Sequence, residues 1–355
     1  MKKKINHILP ALVLTASLGL TTVSCNGFLD EMPDNRTELN TDQKIAKLLV
    51  SAYADVSPNE LFELYSDNSD DSGPTYGYYK LSEQECYHWQ DTKEEYQDTP
   101  NSLWGGYYSA IAAANMALNA IEEKGNPASL DPQRGEALVC RAYCHFMLAN
   151  IFCNAYDTHA SQSLGVPYME EVETTVSPRY ERGTLEEVYR KVERDLLEGI
   201  DLISDDSYSV PKYHFTRKAA YAFAARFYLY YMKPDFSNCD RVIDFATRVL
   251  GTNPADLLRN WEALGNLSVN GNVQADAYIA SSNEANLLIS STVSNWGAIG
   301  SDYLIGPRYF HNQTLATSET CLSSGLWGSS DYFYLKPFST NGFVASILRK
   351  SGLYE

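Results

Sequence analysis

Residues Gly135 to Asp157, GEALVCRAYCHFMLANIFCNAYD, constrain the chain more than any other stretch. Ala137, Cys140, Cys144, Met147, Leu148 and Ile151 recur at the three- and four-residue spacing of a helical face, so the stretch reads as one long helix. Its small residues let a partner helix come close, and Phe146 fills the gap behind the contact. A helix this apolar needs neighbours, because packing rather than propensity stabilises most helices.

Other segments supply those neighbours. Thr41 or Asp42 caps a first helix that runs through Ile45, Leu48, Leu49, Ala52 and Tyr53 and stops before Pro58. Trp104, Tyr107, Tyr108, Ile111, Asn115, Leu118 and Ile121 mark a helix over 104–123, ended by Gly125-Asn126-Pro127. Pro132 then sits where the next helix begins, so 104–123 and 133–153 read as an antiparallel hairpin. Thr184 with Glu187 forms a capping box for a helix from Leu185 to Ile203. The alanine-rich run Thr216–Tyr230 is expected to pair with it, and a shorter helix, Cys239–Leu250, completes the array. Leu81–Pro100 shows no clear period.

Ala142, Phe146 and Ala149 fit the A-x3-F-x2-A signature of a tetratricopeptide second helix, although no clean 34-residue period runs through the chain. The expected fold is mainly α: a tetratricopeptide-like array of helix hairpins, with long irregular loops and little β. Beyond Asn253 the helix periods vanish. Ser281–Ser291 reads as turn plus strand, and Val344–Leu348 as a helix near the end.

The first 24 residues carry Lys2, Lys3 and Lys4, then the apolar run Ile8–Val23, then small residues before Cys25. This is the layout of an export signal, and the small residues before the cysteine look like a bacterial lipoprotein signal that would place lipid on Cys25. A plain secretory signal is the alternative reading. Residues 25–40 read as a polar tether, 41–252 as the helical domain and 253–355 as a loop-rich region. The net charge of −17, more negative still without the signal, argues against a phosphate backbone as partner. No nucleic acid is expected.

Cys86, Cys140, Cys144, Cys153, Cys239 and Cys321 show no disulfide or zinc spacing and read as small buried hydrophobes. Asp67, Ser69 and Asp71 alternate like calcium ligands. The following glycine comes one place late for an EF-hand, so the segment reads as a solvated turn. No G-x-S-x-G, H-E-x-x-H, P-loop or dinucleotide fingerprint is present, and neither catalysis, a cofactor nor a metal is expected.

Binding has a firmer basis in this sequence. The chain holds 26 tyrosines, residues that suit half-wet surfaces as well as aromatic packing. A sugar ring offers an apolar C–H face to a flat aromatic and a hydroxyl rim to polar side chains. Aromatics on loops are therefore the candidate ligand contacts: Trp89, Tyr87, Trp296, Trp327 and Tyr332, with Arg308, Asp91 and Asn295 as rim donors and acceptors. For each aromatic, packing against the helices is the competing role.

Five strings together resemble the SusD/RagB family of outer-membrane nutrient-binding lipoproteins. They are Cys25 followed by Leu29-Asp30 and Pro33; Trp104-Tyr107-Ile111-Asn115; Glu136-Ala137 with Arg141-Ala142-Tyr143; Gly165-Val166-Pro167-Tyr168; and Thr216 through Tyr230. The resemblance implies a lipid-anchored protein on the outer face of the outer membrane. It would capture a glycan and pass it to a SusC-like TonB-dependent transporter. Peptide capture, as in RagB-like members, and a helical scaffold that only docks the transporter are the alternatives. Family members generally run longer, so the resemblance also implies a chain shortened on its C-terminal side.

Overall fold

A computed structural model describes residues 39, 41–67, 69–75, 80–175, 178–268, 273–294 and 308–310. The first helix, α1 (Asp42–Leu49), continues as a 3-10 turn over Val50–Ala52. Short helices α2 (Asn59–Leu64) and α3 (Leu81–Tyr87) flank a two-residue strand, β1 (Asp70–Asp71). The array itself consists of α4 (Pro100–Glu123), α5 (Asp131–Phe152), α6 (Leu185–Leu202), α7 (Arg217–Tyr230) and α8 (Cys239–Leu250). Two further short helices follow, α9 (Trp261–Gly265) and α10 (Val273–Ile279), and then strand β2 (Tyr309–Phe310). The mainly helical architecture expected from the periodicity is the one observed.

Thr41, Thr99, Thr184 and Thr216 each accept a hydrogen bond from a backbone amide in the first turn of the helix they cap. Such a cap contributes about 1 kcal/mol. Glu187 returns the bond to Thr184, completing the expected box. Helix α5 is buried on nearly every side because α4 and α6 cover it and α1 and α7 also touch it. Its polar residues are buried as well. Glu136 accepts from the Tyr53 hydroxyl at 2.7 Å and faces His214 Nδ1 at 2.7 Å, which ties the turn after α1 to the segment entering α7.

Much of the tyrosine abundance serves packing. Tyr189, Tyr231, Phe146, Phe223 and Phe227 interlock with ring centroids 5.3–6.5 Å apart. Cys86, Cys140 and Cys144 are buried free thiols, as expected from their spacing, whereas Cys153 and Cys239 are half-buried. Burial pushes the Cys144 thiol up to about 12.

Four local expectations differ from the structure. The long helix ends at Phe152, not Asp157, with Cys153 already extended. Helix α7 packs far more on α8 than on α6, the helix it was expected to pair with. Helices α3, α9 and α10 lie where no period was legible; at five to seven residues they are too short to display one. Residues 281–291 form turns and an extended stretch held by Ile289 N donating to Lys212 O at 2.8 Å, without a strand. Val344–Leu348 lies outside the described residues.

Candidate ligand-binding site

The structure brings three of the six aromatic and basic candidates to one corner. Tyr87 is the last residue of α3, Trp89 follows it, and Arg308 leads into β2, which pairs antiparallel with β1 (Asp70 opposite Phe310, Asp71 opposite Tyr309). Trp296, Trp327, Tyr332 and Asn295 lie outside the described residues, as does Cys25.

The exit from α3 is unusual. Gln90 N donates to Glu85 O at 2.8 Å and Trp89 N to Cys86 O at 2.9 Å, the paired bonds of a Schellman cap. The residue at the left-handed position of such a cap is normally glycine. Helix α4 follows that rule, with Gly125 at φ +80°. At α3 the position holds Trp89 at φ +55°. A bulky side chain there costs on the order of 1 kcal/mol, and such strain concentrates at functional sites.

Trp89 is 72% exposed, yet its ring stacks on Tyr65 at 4.6 Å and 22°. One face of the indole is thus supported and the other is open to solvent. Burial pushes the Tyr65 hydroxyl up to about 12. Tyr87 is half-buried against Tyr309, 4.7 Å between centroids, so its role in the corner is chiefly support. Arg308 is engaged by Asp71, donating from Nε at 2.6 Å and Nη2 at 2.7 Å, and it lies over the Tyr309 ring. This fork holds the Asp71 carboxyl below its ordinary range and clamps β1 to β2. Asp91 is exposed just beyond Trp89. Sequence reasoning missed Tyr65 and read Asp71 as part of a solvated turn; Asp71 instead lies half-buried in β1, held by Arg308, because the stack and the fork join segments distant in the chain.

A buried acidic group underlies the corner. Glu60 on α2 is 96% buried, with Lys80 Nζ 3.9 Å away. Burial, with help from Glu83 and Asp98 and against the pull of Lys80, raises Glu60 from 4.5 to about 8. The folded state therefore holds a proton that the unfolded chain releases near pH 4.5. The stability this supplies is complete below that pH and is lost as pH rises toward 8. Thermal melts at pH 5 and pH 8 should show Glu60→Gln reducing the wild-type fall in Tm. Identical pH dependence in both proteins would refute the assignment.

A second feature is a groove of about 920 Å³ between α4, α5, α6 and the segment 170–174. Arg141 donates to Asp195 Oδ2 from Nε at 2.6 Å and to Asn115 Oδ1 at 3.0 Å. Asp195 also accepts from the Tyr168 hydroxyl at 2.7 Å and from Arg194. Asn115 donates to the carbonyls of Met169 and Glu171, and Glu170 takes Lys191 and Arg194. His145, fully buried, faces Arg141 O through Nδ1 and accepts from Met169 N at 3.0 Å. Burial lowers it to about 3, which keeps the ring neutral. Arg141, Asn115 and the segment from Tyr168 to Glu171 are thus parts of one clamp that fastens the loop after α5 onto the array. The clamp's carboxylates, Asp195 and Glu170, are held by fixed cations, an arrangement suited to scaffold rather than to proton transfer.

A SusD-like family model, described as starch-binding associating with outer membrane, matches residues 27–229. That span is more than half of the chain, which therefore belongs to the SusD-like family. Among solved structures, a Bacteroides vulgatus protein named for sugar binding is 21% identical, with 75% of this chain and 59% of that one covered at a TM-score of 0.55. A SusD-like carbohydrate-binding protein from the same organism is 15% identical over 76% of this chain and 56% of its own, at 0.53. A SusD superfamily protein from Bacteroides fragilis is 18% identical over 64% and 53%, at 0.50. The chain spans about half the length of the solved structures it matches. Among curated protein sequences, none matches it at significant similarity.

Proposed function

We propose that this protein binds a glycan at the cell surface, using the open face of Trp89 as the platform for a sugar ring. The observation that carries the reading is Trp89 itself, a solvent-facing indole held in a strained left-handed cap and backed by Tyr65. Family membership and the relatives named for sugar and carbohydrate binding support the glycan class. The finer parts of the proposal follow from the family resemblance: a lipid anchor on Cys25, a tether over 25–40, the helical domain over 41–252, placement on the outer membrane, and delivery to a SusC-like TonB-dependent transporter without any chemical change to the ligand. Trp296, Trp327, Tyr332 and Arg308 belong to the proposal as further ligand contacts, with Tyr87 as support.

Affinity electrophoresis against a panel of polysaccharides tests it. Trp89→Asn preserves the backbone, because asparagine tolerates the left-handed region, and removes the platform. Retention by the binding polysaccharide should fall roughly tenfold or more, the scale of a lost aromatic face. Binding of peptides with no retention by any glycan would overturn the sugar reading.

A further inference from the structure

A smaller cavity, about 240 Å³, opens between the turn after α1, α2, α4, α5, α7 and the extended stretch at 288–292. Its walls are aromatic: Phe62, Tyr107, Tyr143 and Phe215, with Asn59 at the side. It shares no lining residue with the Trp89 corner. Drug-sized ligands occupy pockets of about 300–1,000 Å³, so this one admits a single small ring and not a chain.

Arg226 is the cavity's one charged lining residue among those described. It sits in the alanine-rich run of α7. Its guanidinium makes cation–π contacts with Phe146 and Tyr230, 5.8 and 5.9 Å from the centroids, and has no carboxylate partner among the described residues. That is notable in a chain with 45 acidic and 28 basic residues. Burial pushes the Tyr107 and Tyr143 hydroxyls up, while the nearby Arg226 charge works the other way. Both phenols stay neutral and able to donate, and neither donates to a carboxylate among the described residues.

We infer that this cavity is a binding site for the carboxylate of an acidic sugar. Arg226 would hold the carboxylate through its planar fork, a bonding mode lysine cannot reproduce. Tyr107, Tyr143 and Asn59 would serve the hydroxyl rim, and the aromatic walls the C–H face. Neither a neutral sugar nor a bare carboxylate satisfies both halves of this lining. The site stands whether or not Trp89 binds a glycan.

Calorimetry on the full chain with glucuronate, glucose and acetate as probes tests the inference. Glucuronate should bind more tightly than either of the others, and more weakly as salt rises, with no such salt effect on glucose. Arg226→Gln should weaken glucuronate by about tenfold or more, the scale of a lost charge-assisted pair. Arg226→Lys should recover only part of that loss. Glucose or acetate matching glucuronate would overturn the inference, as would an unchanged affinity in Arg226→Gln. Because Arg226 is exposed, the variant should melt like wild type. Should it not, the salt dependence of the wild-type protein decides alone.

Discussion

Replacing Asp195 by alanine should lower the unfolding free energy by about 3–5 kcal/mol, because a buried ion pair that loses one member leaves the other charge without compensation. Asp195 and Arg141 have side chains only 1% and 7% exposed and meet at 2.6 Å. Once Asp195 is gone, Arg141 keeps only Asn115 Oδ1 at 3.0 Å and Glu170 O at 3.4 Å, both neutral acceptors. The Tyr168 hydroxyl loses its acceptor in the same step. Urea denaturation checks the size of the loss, and a value below about 1 kcal/mol would show that the pair contributes little. The double variant Arg141→Met with Asp195→Leu should recover much of the stability, since apolar residues of similar volume can replace a buried pair. The segment 165–171 should nevertheless exchange its amides faster, because it loses the Tyr168 bond to Asp195 and the Arg141 bond to Glu170 O.

The second large effect reverses a familiar sign. Glycine to alanine in an ordinary helix interior stabilises by up to about 1 kcal/mol. Gly199→Ala should instead destabilise by about 1–3 kcal/mol, the usual cost of overpacking. Helices α5 and α6 cross at Gly135 and Gly199. A Cβ on Gly199 would stand 2.7 Å from Gly135 O and 2.7 Å from Val139 Cγ2. A Cβ on Gly135 would stand 2.7 Å from Gly199 O and 2.8 Å from Ile203 N. Backbone atoms cannot step aside as a flexible side chain can, so one helix must move off the other. Calorimetric Tm values for the two single alanine variants and the double would show less than additive losses, because the first substitution already opens the crossing. A raised Tm for Gly199→Ala would mean that the helices do not approach this closely.

Local chemistry made the helical array readable before any coordinates. Thr41 and Thr184 were legible as caps because their side-chain oxygens reach backbone amides a few residues away. The 3.6-residue period of α4, α5 and α6 survives in sequence because each is long enough to repeat it. The motif strings marked the SusD-like family correctly, and the structure shows what several of their residues do. Asn115, Arg141 and Tyr168 belong to one clamp and Glu136 to another, which a linear reading presents as unrelated letters.

What the amino-acid sequence determined by itself was therefore the long helices, their caps and the scaffold's class. Only the tertiary structure decided which helices pair, that Trp89 sits on Tyr65 in a cap built for glycine, that Arg308 is held by Asp71, and that Arg226 opens onto an aromatic cavity. The reason is physical. Capping and periodicity act over three or four residues and leave a local trace, whereas stacks, forks and pockets arise where distant segments converge, and no single segment records that meeting.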